Sequence, residues 1–181
     1  MPQTLRLHPE SSSFAVTHIE VAIARRRTRS LALAYVMTGR ISDVAIPPIA
    51  AAARVDELWR HTCFEAFVGA DAAYYEFNFA PSTHWAAYRF SSYRTGMRVA
   101  TEISAPQIAV EWSPERYILQ ASLELDQLLL SRDATLRLGL SAVIEENSGY
   151  RSYWALAHPP GKADFHHSDC FALELPEAYR P

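Results

Sequence analysis

Two glutamates, Glu65 and Glu76, lie in neighbouring runs, C-F-E-A-F-V (Cys63–Val68) and A-Y-Y-E-F-N-F-A (Ala73–Ala80). Read as a hairpin across the polar loop Gly69–Ala72, with Val68 facing Ala73, these runs set Glu65 directly opposite Glu76. Like charges in a cross-strand pair are destabilising. Something must compensate: an arginine, a shared proton, a cation or a polar ligand. A second loop, Pro81–His84, with Ala80 facing Trp85, brings Arg89 into the same row. Neutralisation by Arg89, helped by Arg60 or Arg94, is one outcome. A carboxylate-floored site for a hydroxyl-rich ligand or a divalent ion is another. Carboxylates accept hydrogen bonds from sugar hydroxyls, and hard cations take oxygen ligands. A glycosidase needs two carboxyls about 5–9.5 Å apart across the scissile bond; strand neighbours allow that spacing, and nothing else in the sequence supports it.

Side chains alternate across a strand, so the glutamate face should also carry Trp59, His61, Cys63, Asn78, Trp85 and Arg89. Aromatic rings beside carboxylate, amide and guanidinium groups suit sugar recognition: rings stack on C–H faces while polar groups take hydroxyls. Near the C-terminus, W-A-L-A-H-P-P-G-K-A-D-F-H-H-S-D-C (Trp154–Cys170) packs Trp154, His158, His166 and His167 around a stiff Pro-Pro-Gly turn. His158 and His166 would close the site if this loop folds over the face. The His and Asp spacing matches no standard metal set. A haem ligand among His61, His158, His166 and His167 stays open, as does a calcium ion at the carboxylates. No G-x-S-x-G, G-x-x-x-x-G-K-[ST], G-x-G-x-x-G or H-E-x-x-H occurs. Cys63 and His61 are two apart on a strand, about 6.7 Å, too far for a direct thiol–imidazole bond.

The elements that must position these groups read as strands. Runs rich in aromatic and β-branched residues are Ala15–Arg27, Arg29–Gly39, Leu58–Val68, Ala73–Ala80, Trp85–Ser91, Ile108–Trp112, Arg116–Leu125, Thr135–Glu145, Arg151–Ala157 and Phe171–Leu175. Arg25–Thr28 is a polar turn. Pro47-Pro48 breaks any strand there. Asp126–Leu130 allows one helical turn with Asp126 as its cap. About ten antiparallel strands with almost no helix predict an all-β jelly-roll or immunoglobulin-like β-sandwich.

Composition narrows the class. The chain has 181 residues, 17 Lys+Arg against 20 Asp+Glu, and a net charge of −3. That balance lacks the basic footprint of a nucleic-acid binder. With 49% hydrophobic and 12% aromatic residues, disorder is excluded. The length suits one domain over residues 1–181. No run approaches the roughly 18 apolar residues of a membrane helix, and the first residues show no signal-peptide pattern. The expectation is a cytoplasmic chain whose two cysteines, Cys63 and Cys170, stay reduced.

The segments Leu58–Val68, Tyr74–Ser82, Trp85–Met97 and Ala157–Phe171 resemble the stand-alone bacterial DOMON-like domain proteins, a group related to carbohydrate-binding modules of family 9. The resemblance implies a jelly-roll β-sandwich. In the wider superfamily such sandwiches bind sugars, some with calcium in the fold, and others bind haem. The resulting expectation is a non-catalytic module for a carbohydrate or similar polyol, with Trp59, His61, Glu65, Glu76, Asn78, Trp85, Arg89, Trp154, His158 and His166 as ligand-binding residues. The alternatives are a haem-binding or redox module and a protein-interaction domain. Neither a nucleic acid nor a membrane is an expected partner.

Overall fold

The computed structural model describes residues 2–25, 30–130 and 135–175. The regular elements among them are twelve strands and single turns of 3-10 helix. In chain order the strands are β1 (Gln3–Leu7), β2 (Val16–Arg25), β3 (Ser30–Gly39), β4 (Cys63–Ala70), β5 (Ala73–Phe79), β6 (Trp85–Phe90), β7 (Arg98–Val99), β8 (Gln107–Ser113), β9 (Arg116–Glu124), β10 (Leu136–Glu145), β11 (Arg151–Ala155) and β12 (Leu173–Leu175). They form one curled antiparallel sheet in the order β7-β6-β5-β4-β10-β11-β1-β2-β3-β9-β8, with β12 beside β10. No helix among the described residues is long and apolar enough to cross a membrane. Most of the polar turn expected at Arg25–Thr28 falls outside the described residues.

Curling brings the two halves of the sheet face to face. Strand β3 supplies Leu31, Leu33, Tyr35 and Met37 to the core, and the alternate residues stay partly exposed. That period-2 pattern is what a sheet with one solvated face requires. From the other half come Phe64, Ala66, Val68, Phe77 and Phe79. The Tyr35 and Phe64 rings meet at 5.2 Å across this core. The Tyr35 hydroxyl, fully buried, donates to the Glu65 carbonyl at 2.7 Å. A buried tyrosine needs such an acceptor, so this bond fixes β3 against β4.

The second half differs from the first. All eight residues of β4 are buried, as are nearly all of β5 and β6. A strand buried on both faces must be covered on both. The cover is the C-terminal segment 157–171, with the short turn Leu58–Arg60. A second apolar cluster forms beneath it, with Phe67, Tyr74, Phe90, Phe165 and Phe171 among its members. Two glycines permit the approach. A Cβ on Gly139 would stand 3.1 Å from the Cys170 carbonyl oxygen, and one on Gly69 would stand 3.2 Å from the Phe171 ring.

Register differs from the sequence expectation in two places. The β4–β5 hairpin turns tightly over Asp71 and Ala72, with Ala70 facing Ala73 and Asp71 left-handed at φ 53°. This moves the pairing by two residues, so both strands keep their predicted faces. Glu65 therefore faces Asn78, and Glu76 faces Phe67. The β5–β6 connection is longer than predicted. Phe79 pairs with Trp85, leaving Ala80–His84 as the loop, closed by Ala80 N–H to the His84 carbonyl at 2.9 Å. This one-residue change inverts β6. Trp85 and Arg89 thus lie on the core-facing side, while Ala86, Tyr88 and Phe90 share the glutamate face. The single turn near Asp126 starts at Leu125 and has no side-chain cap, so Asp126 lies within it.

Candidate functional site

The outer face of β10, β4, β5 and β6 carries two polar rows. One runs Ser141, Glu65, Asn78, Ala86; the next runs Gly139, Phe67, Glu76, Tyr88. Glu65 and Glu76 are therefore diagonal neighbours rather than a facing pair. Diagonal neighbours are about 7–8 Å apart at Cα and remain within side-chain reach. Both are almost fully buried, at 2% and 5% exposure. The Ser141 hydroxyl donates to Glu65 Oε2 at 2.9 Å, and the Asn78 amide donates to Glu76 Oε1 at 2.9 Å.

Above this floor lies a cavity of about 420 Å³, within the usual size range of small-molecule sites. Its walls include Trp59, Phe90, Tyr153 and Phe165, with Arg60, Arg94 and Arg151 also lining it. Trp59 comes from the Leu58–Arg60 turn, where the left-handed Glu57 (φ 63°) redirects the chain. Its ring meets Tyr88 edge-on at 5.5 Å. Tyr153 and Arg151 project from β11, and Phe165 and His166 come from the covering segment.

His166 is the most heavily constrained wall residue. Its ring packs edge-on against Phe67 at 5.2 Å and Phe90 at 5.0 Å. Its backbone N–H donates to Asp164 Oδ1 at 3.1 Å. The Tyr74 hydroxyl accepts from the Arg94 N–H at 3.1 Å and lies 2.8 Å from His166 Nδ1. This network assigns the Tyr74 O–H as donor to Nδ1, leaving the proton on Nε2. Nε2 stands 3.6 Å from Glu76 Oε2. Burial, and then the Arg94 charge, push the His166 pKa down to about 4. The approach to Glu76 is thus made by a neutral imidazole and is not an ion pair.

The floor carboxyls shift the other way. Burial, and then the charge of Glu76, raise Glu65 above the ordinary carboxylate range; the Ser141 bond opposes this. Burial also raises Glu76, against the Asn78 bond and the field of Arg94. Two buried like charges resist full ionisation together. The arginines make their direct contacts elsewhere. Arg94 binds Asp164 Oδ1 through Nε at 3.2 Å and a terminal nitrogen at 2.7 Å. Arg60 pairs with Glu57 at 2.8 Å, and Arg151 approaches Glu145 at 3.7 Å. Tyr93 also donates to Asp164.

Of the residues expected in the site, Trp59, Glu65, Glu76 and His166 line the cavity. Asn78 lies beneath and orients Glu76. The other five lie elsewhere. His61 is exposed and held 2.7 Å from Glu145 Oε2. Trp85 is inverted into the core cluster, with the Arg54 guanidinium 4.1 Å over its ring. Arg89 follows the same inversion and donates to the Leu129 carbonyl at 3.2 Å. Trp154 also packs in the core, with its indole N–H on Ser152 Oγ at 3.0 Å. His158 is tied to the Arg6 carbonyl at 2.8 Å. The sequence reading missed Tyr153, Phe90, Phe165 and Arg151, while Arg60 and Arg94, named there as neutralisers, do line the cavity. Tyr153 had a usable signal: it faces Val143, which lies two residues from Ser141 on the same face. The thiols of Cys63 and Cys170 are free and buried. Cys170 clamps the covering segment, reaching the Ala157 and Asp164 carbonyls at 3.1 and 3.2 Å.

No protein-family model matches the sequence, and no curated protein matches it. Among solved structures, the chain is similar to a candidate carbohydrate-binding protein from Bacteroides uniformis. The TM-score is 0.66 at 13% identity, over 94% of this chain and 83% of that one. At that identity the likeness is one of fold: a curled, antiparallel all-β architecture.

Proposed function

We propose that this protein is a non-catalytic binding module and that the Glu65–Glu76 cavity holds a carbohydrate or similar polyol. The observation that carries the reading is a pocket floored by buried hydrogen-bond acceptors and walled by aromatic rings. A sugar offers hydroxyl donors on its edges and C–H groups on its faces, which matches that division. Glu65 and Glu76 project side by side from one floor, so a ligand lies over both. Cleavage would need carboxyls flanking the bond. The solved neighbour's description supports the same ligand class. The neighbour's fold and the resemblance to DOMON-like proteins support a jelly-roll sandwich; one domain over residues 1–181 and a cytoplasmic location are part of the same proposal and rest on the sequence alone.

The test is calorimetric titration with neutral mono- and disaccharides, using the wild-type chain and Trp59→Ala. The expected result is a saturable heat with at least one sugar, weakened about tenfold in Trp59→Ala while the melting temperature moves little. Equal affinity in the folded variant would remove the sugar from this cavity.

A further inference from the structure

No arginine or lysine among the described residues pairs directly with the floor of the cavity; Arg94 acts on Glu76 only through its field. Glu65 and Glu76 receive their hydrogen bonds from neutral donors, the Ser141 hydroxyl and the Asn78 amide. Among the described residues no donor reaches the second oxygen of Glu65, although the side chain is almost fully buried and faces the cavity. The three nearby arginines are each held by another acid: Asp164, Glu57 or Glu145. The remaining wall is apolar and mostly aromatic, with Phe67 between the two glutamates in the strand pattern and Trp59 and Phe90 around it.

Resting on the carbohydrate reading above, we infer that the group seated on Glu65 and Glu76 is a protonated primary amine, so that the preferred ligand class is an amino sugar. An ammonium has three donors and no acceptor, which fits two acceptor carboxylates. It also gains from aromatic faces nearby. A divalent cation is a poorer match, because calcium takes six to eight oxygen ligands and this site offers two carboxyls beside rings. A neutral hydroxyl supplies hydrogen bonds but no charge.

The protons balance in a simple way. Below neutrality the two buried carboxyls favour holding protons over carrying two negative charges. When the ammonium sits between them, those protons leave to solvent and both carboxyls become carboxylates. Groups bearing on this titration come from each surrounding element: Cys63 on β4, Tyr74 and Asn78 on β5, Tyr88 on β6 and Ser141 on β10. Further out are Arg94, Asp164, His166, and the Arg60–Glu57 and Arg151–Glu145 pairs. His166 is neutral above about pH 4, so it does not supply the missing charge near neutrality.

The test compares glucosamine, galactosamine and mannosamine with their neutral parents and N-acetyl derivatives at about pH 6.5, where the amine is protonated. Calorimetry in two buffers of different ionisation enthalpy counts released protons. An amine-bearing sugar should bind at least tenfold tighter than its neutral parent, with net proton release. Glu76→Gln should bring the affinity for the amine-bearing sugar down to that for its neutral parent. Glu65→Gln serves if Glu76→Gln does not fold by circular dichroism. If neutral or N-acetyl sugars bind as well as the amines, the amine inference falls and the carbohydrate reading stands. If no sugar in either set binds, both fall.

Discussion

At the residue scale the defining feature is a pair of carboxyls kept from water on the same face as aromatic rings. Their raised pKa has a consequence for stability. The folded chain holds protons on Glu65 and Glu76 that the unfolded chain releases above its ordinary value of 4.5. Their stabilising protonation is thus complete below 4.5 and lost as pH rises through neutrality. His166 acts oppositely: with its folded pKa lowered to about 4 from 6.5, it lowers stability only below 6.5. The two effects separate above pH 6.5. Between about pH 6.5 and 8, unfolding free energy should fall with pH, by up to about 1.4 kcal/mol per proton per unit. Urea titrations across that range check it. Glu65→Gln should flatten the slope and raise stability at pH 8 by about 1 kcal/mol. A slope unchanged in the variant would mean that the carboxyls ionise freely.

At the element scale, the site depends on the segment 157–171 crossing the sheet. Gly139 is the crossing point, where a Cβ would already stand 3.1 Å from the Cys170 carbonyl oxygen. Gly139→Val should lower stability by about 2 kcal/mol and speed amide exchange across residues 163–171. Faster exchange elsewhere with this segment unchanged would refute that role. The same scale shows where the sequence was readable. Alternation in C-F-E-A-F-V and Y-Y-E-F-N-F assigned β4 and β5 to the correct faces despite a hairpin two residues off, because a shift of two preserves parity. A loop of five residues in place of four inverted β6 and carried Trp85 and Arg89 to the core side. Loop length is a property of backbone geometry, here including Thr83 at φ 72°, and composition does not report it. Trp154 and Tyr153 pose the same difficulty: two aromatic neighbours, only one of which can face the cavity.

At the scale of the whole molecule, the all-β class was legible because β-branched and aromatic runs recur between turn residues along the chain. The joint between the two halves of the sheet was less so. Strand β1, five residues near the N-terminus, carries little pattern of its own, yet it joins the two halves by pairing with β2 and β11. Across the core, Tyr35 links β3 to β4 through the Glu65 carbonyl. Tyr35→Phe should cost about 1 kcal/mol in urea unfolding; no loss would mean that this hydrogen bond does not hold β3 against β4. The aromatic cavity became visible only once the C-terminal segment lay over β4 and β5, a contact between residues about a hundred positions apart in sequence.

The central claim is that a sugar occupies the cavity above Glu65 and Glu76. The most direct measurement is a two-dimensional amide and indole NMR spectrum recorded through a titration with neutral and amino hexoses. Saturable shifts should cluster at the Trp59 indole, the Asn78 side-chain amide and the backbone of residues 163–166. Saturable shifts confined to another surface, such as the exposed Trp112, would contradict it, as would no saturable shift with any sugar.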